Sequence, residues 1–312
     1  MSRARKTALF IADPWDTLEP TTETTLILAR GAAELGIVCH WATPEQISWR
    51  GDRFIVANPR PLLPGAMALG PPLLDRPLLS YSSAHWRCDP PVTMLQMRFW
   101  SLLAGLVPRN FLWNSPHALL TWNEKYAPLR FHRWAIPTTV AQDSALFQAE
   151  HARLKDPQGR TVFKPAADAA SRGVTLLADP GELPALIDRH GPWPVLQAFD
   201  ARIAAGETRV FLLKGSLSGA LRKIPQAHAP IMGWDRDEEK PHLKPAVLTA
   251  LQKKRATTVG RALLEAGVHF ATLDFIGARV LEVNVTSPGL VFALGAENAR
   301  KLARDYWKKL PR

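Results

Sequence analysis

The chain has 312 residues, room for about two domains at roughly 150 residues each. Its composition, 46% hydrophobic and 21% charged, is that of a soluble globular protein, and no apolar run reaches the ~20 residues that cross a bilayer. The net charge of +11 favours anionic ligands, but Lys and Arg are dispersed and no aromatic-interleaved basic patch exists, so neither a nucleic acid nor a membrane is expected as partner.

Chain order begins with "KTALFIADP", a strand running into a polar turn. The N-terminal "MSRARKTALFIAD" is too short in its apolar part for an export signal and ends in Asp13, which makes the cytoplasm the default location. "TTETTLILARGAAELG" is an amphipathic helix with Thr21 or Thr22 as N-cap and Gly36 as its stop. "IVCHWA" is the next strand, and strand–helix–strand order argues for a parallel α/β layer. Cys39 in that run reads as core. Cys88 in "WRCDPP" reads as an inert loop thiol, and the two cysteines match no metal spacing or disulfide framework. Residues 59–79 are rich in Pro and Leu without a clear period and read as loop. "VTMLQMRFWSLLAGL" is a helix, "RNFLWN" a short buried strand, and "SPHALLTW" a helix capped by Ser115 with Pro116 in its first turn. The 11 tryptophans, several beside Pro or loops, read as packing anchors at domain seams.

A second unit opens near "NEKYAPLRFHRWAIPTTVAQD", with a helical stretch after Asn123. "DSALFQAEHARL" is a helix, "GRTVFKP" a strand ending at Lys164, "GVTLL" a strand, and "PGELPALIDRHG" a helix. "PVLQAF" is a further strand. "ETRVFLLKG" and "LSGALRKIP" alternate and are joined at Lys214-Gly215 as a hairpin. "QAHAPIMGWDRDEEKPHLKP" reads as loop, "AVLTALQKKRATTVGRALLEAG" as a long helix ending at Gly267, and "LGAENARKLARDYWKKL" as the last helix, its cations at the end where the helix dipole favours them.

Between the last two helices lies "LDFIGARVLEVNVTSPG", a hairpin with unusual polar groups. Glu282 and Asn284 point to one face of their strand. A strict two-residue turn would send Asp274 to the other face, whereas a three-residue turn or a bulge sets it opposite Glu282. Asp274, Glu282 and Asn284 would then offer hard oxygen ligands suited to Mg²⁺ with phosphates completing its shell. The alternative is an ion pair for each carboxylate with a nearby Lys or Arg. Elsewhere, Lys164 at a buried strand end and Lys125 in "WNEKYAPL" suit phosphate contacts. Gln197 can read a base edge, Phe199 can stack, Glu207 can hold a ribose hydroxyl or a metal, and Arg209 can fork onto a carboxylate or phosphate.

That ordered set resembles the ATP-grasp superfamily and, within it, the bacterial glutathione synthetases, over most of the chain from about Trp86. "RCDPPV", "WNSPHALLTWNEKYAPLRF", "VFKP", "LQAFDARIAAGETRVFLLKG", "LRKIP" and above all "FATLDFIGARVLEVNVTSPG" carry the likeness, with Lys223 standing where the family has Arg. The resemblance implies an α/β fold with α+β character in its second half: an N-terminal Rossmann-like pre-ATP-grasp domain over 1–122, then the two-part ATP-grasp fold over 123–312 with a lid subdomain at about 138–200. It implies Mg²⁺, with Mn²⁺ as the alternative, on Asp274, Glu282 and Asn284. ATP phosphates would fall to Lys125 and Lys164, and adenosine to Gln197, Ala198, Phe199 and Glu207. Arg209 would serve the acyl phosphate, and Arg87, Lys223, Val285, Thr286 and Ser287 the amino-acid or peptide substrate. The implied reaction is ATP-dependent joining of a carboxylate to an amine by a ligase of glutathione biosynthesis, acting on small molecules as a homo-oligomer. Two stretches depart from the family: the lid "KPAADAASRGV" has Gly173 as its only glycine, and the acceptor loop at 226–242 differs. Those departures keep a non-catalytic nucleotide- or peptide-binding protein, or a ligase with another acceptor, as the competing readings.

Overall fold

The computed structural model describes residues 6–65, 67–168, 171–228 and 240–308. In chain order the first part comprises β1 (Thr7–Ala12), α1 (Thr24–Ala33), β2 (Val38–Ala42), β3 (Ile47–Arg50), β4 (Arg53–Val56), β5 (Arg60–Leu63), β6 (Ala68–Leu69), β7 (Arg76–Pro77), β8 (Ser83–Arg87), α2 (Met94–Leu106), β9 (Leu112–Trp113) and α3 (Pro116–Thr121). The expected parallel layer is present: β2, β1, β8 and β9 pair in parallel, and β5 and β6 extend the sheet antiparallel in the order β6-β5-β2-β1-β8-β9. Both faces of β1 are buried, because successive side chains serve different cores. Ala8, Phe10 and Ala12 pack with α1, while Leu9 and Ile11 pack with Trp100, Leu103 and Leu119 of α2 and α3.

Several boundaries differ from expectation. Residues 59–79 hold the short strands β5, β6 and β7; β5 pairs with β2 and β7 with β4, about 20 residues away, and β6 is only two residues long, so none shows a local period. The cap of α1 is Glu23, whose carboxylate accepts the Thr25 N–H at 2.6 Å, while the Thr21 hydroxyl donates to Glu19 instead at 2.7 Å. Gly36 does close the helix, with the Ile37 N–H on the Ala32 carbonyl at 3.0 Å. Trp86, Trp100 and Trp113 are fully buried, as packing anchors should be, and both cysteines are buried.

The second part comprises β10 (Thr138–Val140), α4 (Ser144–Leu154), β11 (Thr161–Lys164), β12 (Thr175–Leu177), α5 (Leu183–His190), β13 (Val195–Ala198), β14 (Glu207–Leu213), β15 (Ser216–Ile224), β16 (His242–Pro245), α6 (Ala250–Glu265), β17 (Phe270–Ile276), β18 (Arg279–Asn284) and α7 (Ala296–Lys308). A small antiparallel sheet, β10-β13-β11-β12, lays Phe163, Leu177 and Leu196 against α4 and α5. Alternation then turns Lys164 and Gln197 to its other face. The hairpin of β14 and β15 turns at Lys214-Gly215, both at positive φ (46° and 72°), as a two-residue turn of the primed type requires. The α6 helix starts four residues later than its apolar run, where Thr249 and Gln252 form a reciprocal cap at 2.9 and 3.2 Å. The expected loop at 226–242 runs into β16, and its residues 229–239 lie outside the described residues.

The central sheet, β16-β15-β14-β17-β18, is antiparallel throughout. One face, with Val210, Leu273, Phe275 and Val283, packs on α6. The other is apolar at one end, where Phe211, Leu213 and Leu221 join the core shared by β1, α1 and α7. Thus the last helix packs beside the first, and this core crosses the boundary expected at 122/123. Trp307 ties the pair, its indole N–H on the Leu28 carbonyl at 2.6 Å.

One side chain staples the two sheets. The Asn114 amide donates to the carbonyls of Phe270 (2.7 Å) and Val285 (2.6 Å) and accepts the N–H groups of His269 (2.7 Å) and Phe270 (2.8 Å). All of these groups are buried, so Asn114→Ala strands them and is expected to lower the unfolding free energy by about 2–3 kcal/mol, read from urea midpoints at constant slope.

Candidate active site

The charged end of the central sheet is a product of strand periodicity. Glu207 and Arg209 alternate onto one face of β14; Lys223 sits opposite Glu207, and Asp274 opposite Arg209. The hairpin of β17 and β18 turns at Gly277-Ala278, with Ile276 paired to Arg279, and an irregularity after Asp274 absorbs one extra residue. That bulge restores the register Asp274–Glu282 and Thr272–Asn284, so Asp274, Glu282 and Asn284 share the face with Arg209.

The carboxylates there are matched by cations. Arg209 grips Asp274 with two hydrogen bonds, Nε at 2.8 Å and Nη2 at 2.6 Å. Lys223 Nζ lies 3.2 Å from the same Asp274 carboxylate and also pairs with Glu207. Lys125 pairs with Glu282, and the Asn284 amide donates to Asp274 at 3.3 Å. Burial pushes the Asp274 carboxyl up, but Arg209 and Lys223 reverse this and hold it well below the usual carboxylate range. Burial likewise opposes ionisation of Glu282, and Lys125 and Lys164 overcome it. Lys125 is pushed down by burial and pulled up more strongly by Glu282. Lys164 has no hydrogen-bond or ion-pair partner among the described residues, and burial pushes its ammonium down to about 8, against the pull of Glu282 and with the repulsion of Lys125. The ion-pair alternative for the two carboxylates is therefore the arrangement of the ligand-free protein.

Lys125 is not helical. It occupies a turn after α3, where the Asn123 side chain accepts its N–H at 2.9 Å, and the helical turn begins only at Ala127. Beside it, Glu124 is buried and accepts the N–H groups of Val285 (3.0 Å) and Thr286 (2.9 Å); burial and the nearby Glu282 raise its carboxyl. Glu124 appears in the sequence only as part of "NEK", and nothing local marks it as the support of the strand end.

An open cavity of about 550 Å³ adjoins the charged face, lined by Arg87, Asp89, Glu124, Arg209, Asn284 and Ser287 among others. It lies at the carboxyl ends of β1 and β8, between the strands where the parallel sheet changes direction, the usual ligand position in such sheets. Arg87 is buried and donates through Nε to Thr25 at 3.0 Å, while its Nη1 has no partner. Burial raises the Asp89 carboxyl, partly countered by Arg87. The Ser287 hydroxyl donates to the Arg87 carbonyl at 3.4 Å.

Three expected contacts are differently engaged. Val285 is a core residue whose N–H goes to Glu124 and whose carbonyl goes to Asn114, so neither its side chain nor its backbone polar groups face the cavity. Thr286 is buried with its N–H on Glu124. One face of Phe199 is covered by the Arg160 guanidinium, 4.2 Å from the ring centroid. Gln197 donates to Thr138 at 3.0 Å, and the Ala198 N–H reaches the Pro137 carbonyl at 2.9 Å, so this strand is anchored by β10 and its approach.

The segment after Lys164 reaches across to the cavity wall. Asn123 donates to the Ala166 carbonyl at 3.1 Å, Val92 N–H to Ala167 at 3.3 Å, and Arg172 to the Pro90 carbonyl at 3.0 Å. Residues 169–170 of this segment lie outside the described residues. Gly173 has φ +66°, and a Cβ there would meet Pro165 at 2.6 Å and His190 at 2.7 Å. Gly173→Ala is expected to displace the segment and raise the KM for the nucleotide expected at this site about fivefold to thirtyfold, the equivalent of the ~1–2 kcal/mol that a left-handed non-glycine residue costs; steady-state kinetics would check it.

Among the described residues no three His, Cys, Asp or Glu side chains gather as a metal cluster. Asp274 and Glu282, both held ionised, with the Asn284 amide are a donor set of the hard-oxygen kind that fits Mg²⁺. No described helix is long and apolar enough to cross a membrane.

Comparisons with known proteins agree with this geometry. Residues 7–119 match the family model "Prokaryotic glutathione synthetase, N-terminal domain", and residues 124–298 match "Prokaryotic glutathione synthetase, ATP-grasp domain". Curated glutathione synthetases are similar: that of Parasynechococcus marenigrum is 31% identical, covering 90% of this chain and 91% of its own, and that of Synechocystis sp. is 28% identical, covering 89% and 91%. Among solved structures, D-cycloserine synthetase DcsG superposes with a TM-score of 0.68 at 17% identity, over 98% of this chain and 99% of its own, a likeness of fold.

Proposed function

The chain belongs to the prokaryotic glutathione synthetase family and is an ATP-dependent carboxylate–amine ligase, and on that premise we propose that it joins the carboxylate of γ-glutamylcysteine to the amine of glycine with Mg²⁺ as metal. The observation that carries the reading is the single sheet face where Arg209, Lys125, Lys164 and Lys223 surround Asp274 and Glu282 beside a cavity holding Arg87.

The terminal phosphoryl group of ATP passes to a carboxylate oxygen of the dipeptide, giving ADP and an acyl phosphate. The glycine amine attacks the acyl carbon, the C–O bond to phosphate breaks, and the amine proton is lost with the departing phosphate. Protein groups position and neutralise, so no nucleophilic side chain is needed. Lys164, without an ion-pair partner among the described residues, meets the phosphates directly, and Lys125 joins it by exchanging Glu282 for ligand oxygen. Arg209 spends Nε and Nη2 on Asp274, which leaves Nη1 for the oxyanion that forms at the acyl carbon. Arg87, which lines the cavity, receives a substrate carboxylate. Asp274, Glu282 and Asn284 would hold Mg²⁺, which when bound supplies charge neutralisation to the polyphosphate. Gln197, Ala198, Phe199 and Glu207 remain the adenosine set, with Ser287 and Lys223 on the substrate side and Val285 and Thr286 as its support.

The protein acts on small molecules in the cytoplasm, and a homo-oligomer and independence of nucleic acid belong to the same proposal. ADP release is measured with Mg-ATP, γ-glutamylcysteine and glycine, then with glycine replaced by other amino acids and short peptides. Glycine-dependent release supports the reading; release only with another amine assigns a different acceptor, and no substrate-dependent release from any pair rejects it.

A further inference from the structure

A second cleft, of about 520 Å³, opens on the α6 side of the central sheet, away from the charged face. Its floor is aromatic, formed by Trp122 and Phe131 beside Ala262. Its rim carries Arg109, Arg130 and His117. Arg130 sits over Trp122 with its guanidinium carbon 4.5 Å from the ring centroid and donates to the Thr121 carbonyl at 3.2 Å. Arg109 donates to the Glu265 carbonyl at 3.2 Å. These contacts orient the two guanidinium groups without neutralising them: neither has a carboxylate partner among the described residues, and no carboxylate lines the cleft. Glu207, Arg209, Lys223, Asp274 and Glu282 lie on the other face of the sheet and no residue of the ligase site lines this cleft, so the catalytic reaction leaves it unused.

We propose that the cleft is an accessory binding site for a small anion built on a flat apolar ring, an aromatic phosphate or carboxylate, and that its occupancy is felt at Lys125. The volume is that of a small-molecule pocket, typically ~300–1,000 Å³. Guanidinium forks match phosphate and carboxylate oxygens, and a flat ring can take the place of Arg130 over Trp122 when that guanidinium turns to the anion. The coupling route is short. Trp122 and Phe131 line the cleft, and Glu124 and Lys125 lie between them in the same segment, which the Arg130–Thr121 hydrogen bond closes. A ligand that draws Arg130 toward itself therefore pulls on the segment that holds Lys125 against Glu282 and Glu124 against Val285.

Phenyl phosphate is the probe, titrated calorimetrically into the full chain saturated with Mg-ADP so that the nucleotide site is filled. Saturable binding is expected, at least about tenfold weaker for benzyl alcohol and about tenfold weaker in Arg109→Ala/Arg130→Ala, as follows from losing charge-assisted hydrogen bonds. Both arginines are exposed, and unchanged circular dichroism with a cooperative urea transition establishes that the variant is folded. Should it fail to fold, the exposed His117→Asp places a negative charge in the same cleft and is expected to give the same loss. Saturating probe should also change the ADP affinity about fivefold in the wild type and not in the variant. Absence of saturable binding up to about 10 mM, or equal binding by the wild type and the folded variant, overturns the site. An ADP affinity that responds equally in both overturns the coupling to Lys125.

Discussion

Replacing Asp274 by alanine is expected to lower ligase turnover by about 10³-fold and the unfolding free energy by about 3–5 kcal/mol. Asp274 is fully buried at the centre of the charged face and is the shared anion of Arg209 and Lys223. Removing it strands Arg209, whose side chain is only 12% exposed, and leaves Lys223 with Glu207 alone; an unpaired buried charge costs far more than the lost attraction alone. It also frees Arg209, whose one useful orientation toward the cavity is set by the two hydrogen bonds to Asp274. The double variant Asp274→Ala/Arg209→Ala should therefore be more stable than the sum of the single effects predicts, because it removes the stranded cation. Urea unfolding and ADP release read both effects. A loss below about 1 kcal/mol, the scale of an exposed pair, together with turnover near that of the wild type, would show that this ion pair organises neither the fold nor the site.

Lys164→Met is the second expected result: Mg-ATP affinity should fall about tenfold to a hundredfold, the size of one or two charge-assisted hydrogen bonds. Its pH dependence identifies the residue. In the ligand-free protein burial holds the ammonium down to about 8, and phosphate oxygens beside it would raise that value. The bound state then binds more protons than the free state from about pH 8 upward, so wild-type affinity should be flat below that pH and decline above it. Calorimetry near pH 8.5 in buffers of different ionisation enthalpy should detect proton uptake on binding, and the variant should show neither the uptake nor the decline. The stability of the ligand-free protein moves the other way. An unfolded lysine titrates near 10.4, so between about 8 and 10.4 the unfolded chain binds the extra proton and this group's contribution to stability rises with pH. An identical pH slope in Lys164→Met would assign the titration to another group.

The hairpin shows how far periodicity carries and where it stops. Strand alternation places Glu282 and Asn284 together from sequence alone, and the spacing to Asp274 demands an extra residue somewhere. Whether that residue sits in the turn or the ladder is a choice between nearly equal local geometries. Packing decided it: the turn is Gly277-Ala278, where Gln252 of α6 donates to the Gly277 carbonyl at 2.7 Å, and the bulge falls after Asp274. Residues 59–79 were illegible for a related reason, since strands of two residues are too short to show a period and β5 and β7 pair outside the stretch. Lys125 read as helical because Tyr126 to Phe131 continue into a helical turn, and only the Asn123 side chain marks the break before it.

By itself the sequence determined the order of the helices and of the longer strands, the parallel first layer, the residue types at the charged face and the likeness to one ligase family. These follow from local rules, namely the two periods of buried side chains, caps and glycine turns, and from motifs that are contiguous in the chain. The tertiary structure alone decided which charges meet. Asp274 pairs with Arg209 across 65 residues and Lys125 with Glu282 across 157; Asn114 staples the two sheets, α7 packs on α1, and Lys164 has no partner among the described residues. Pairing between distant strands is a matter of register and of the free energy of burying charge in company, and neither has a signature within any one segment.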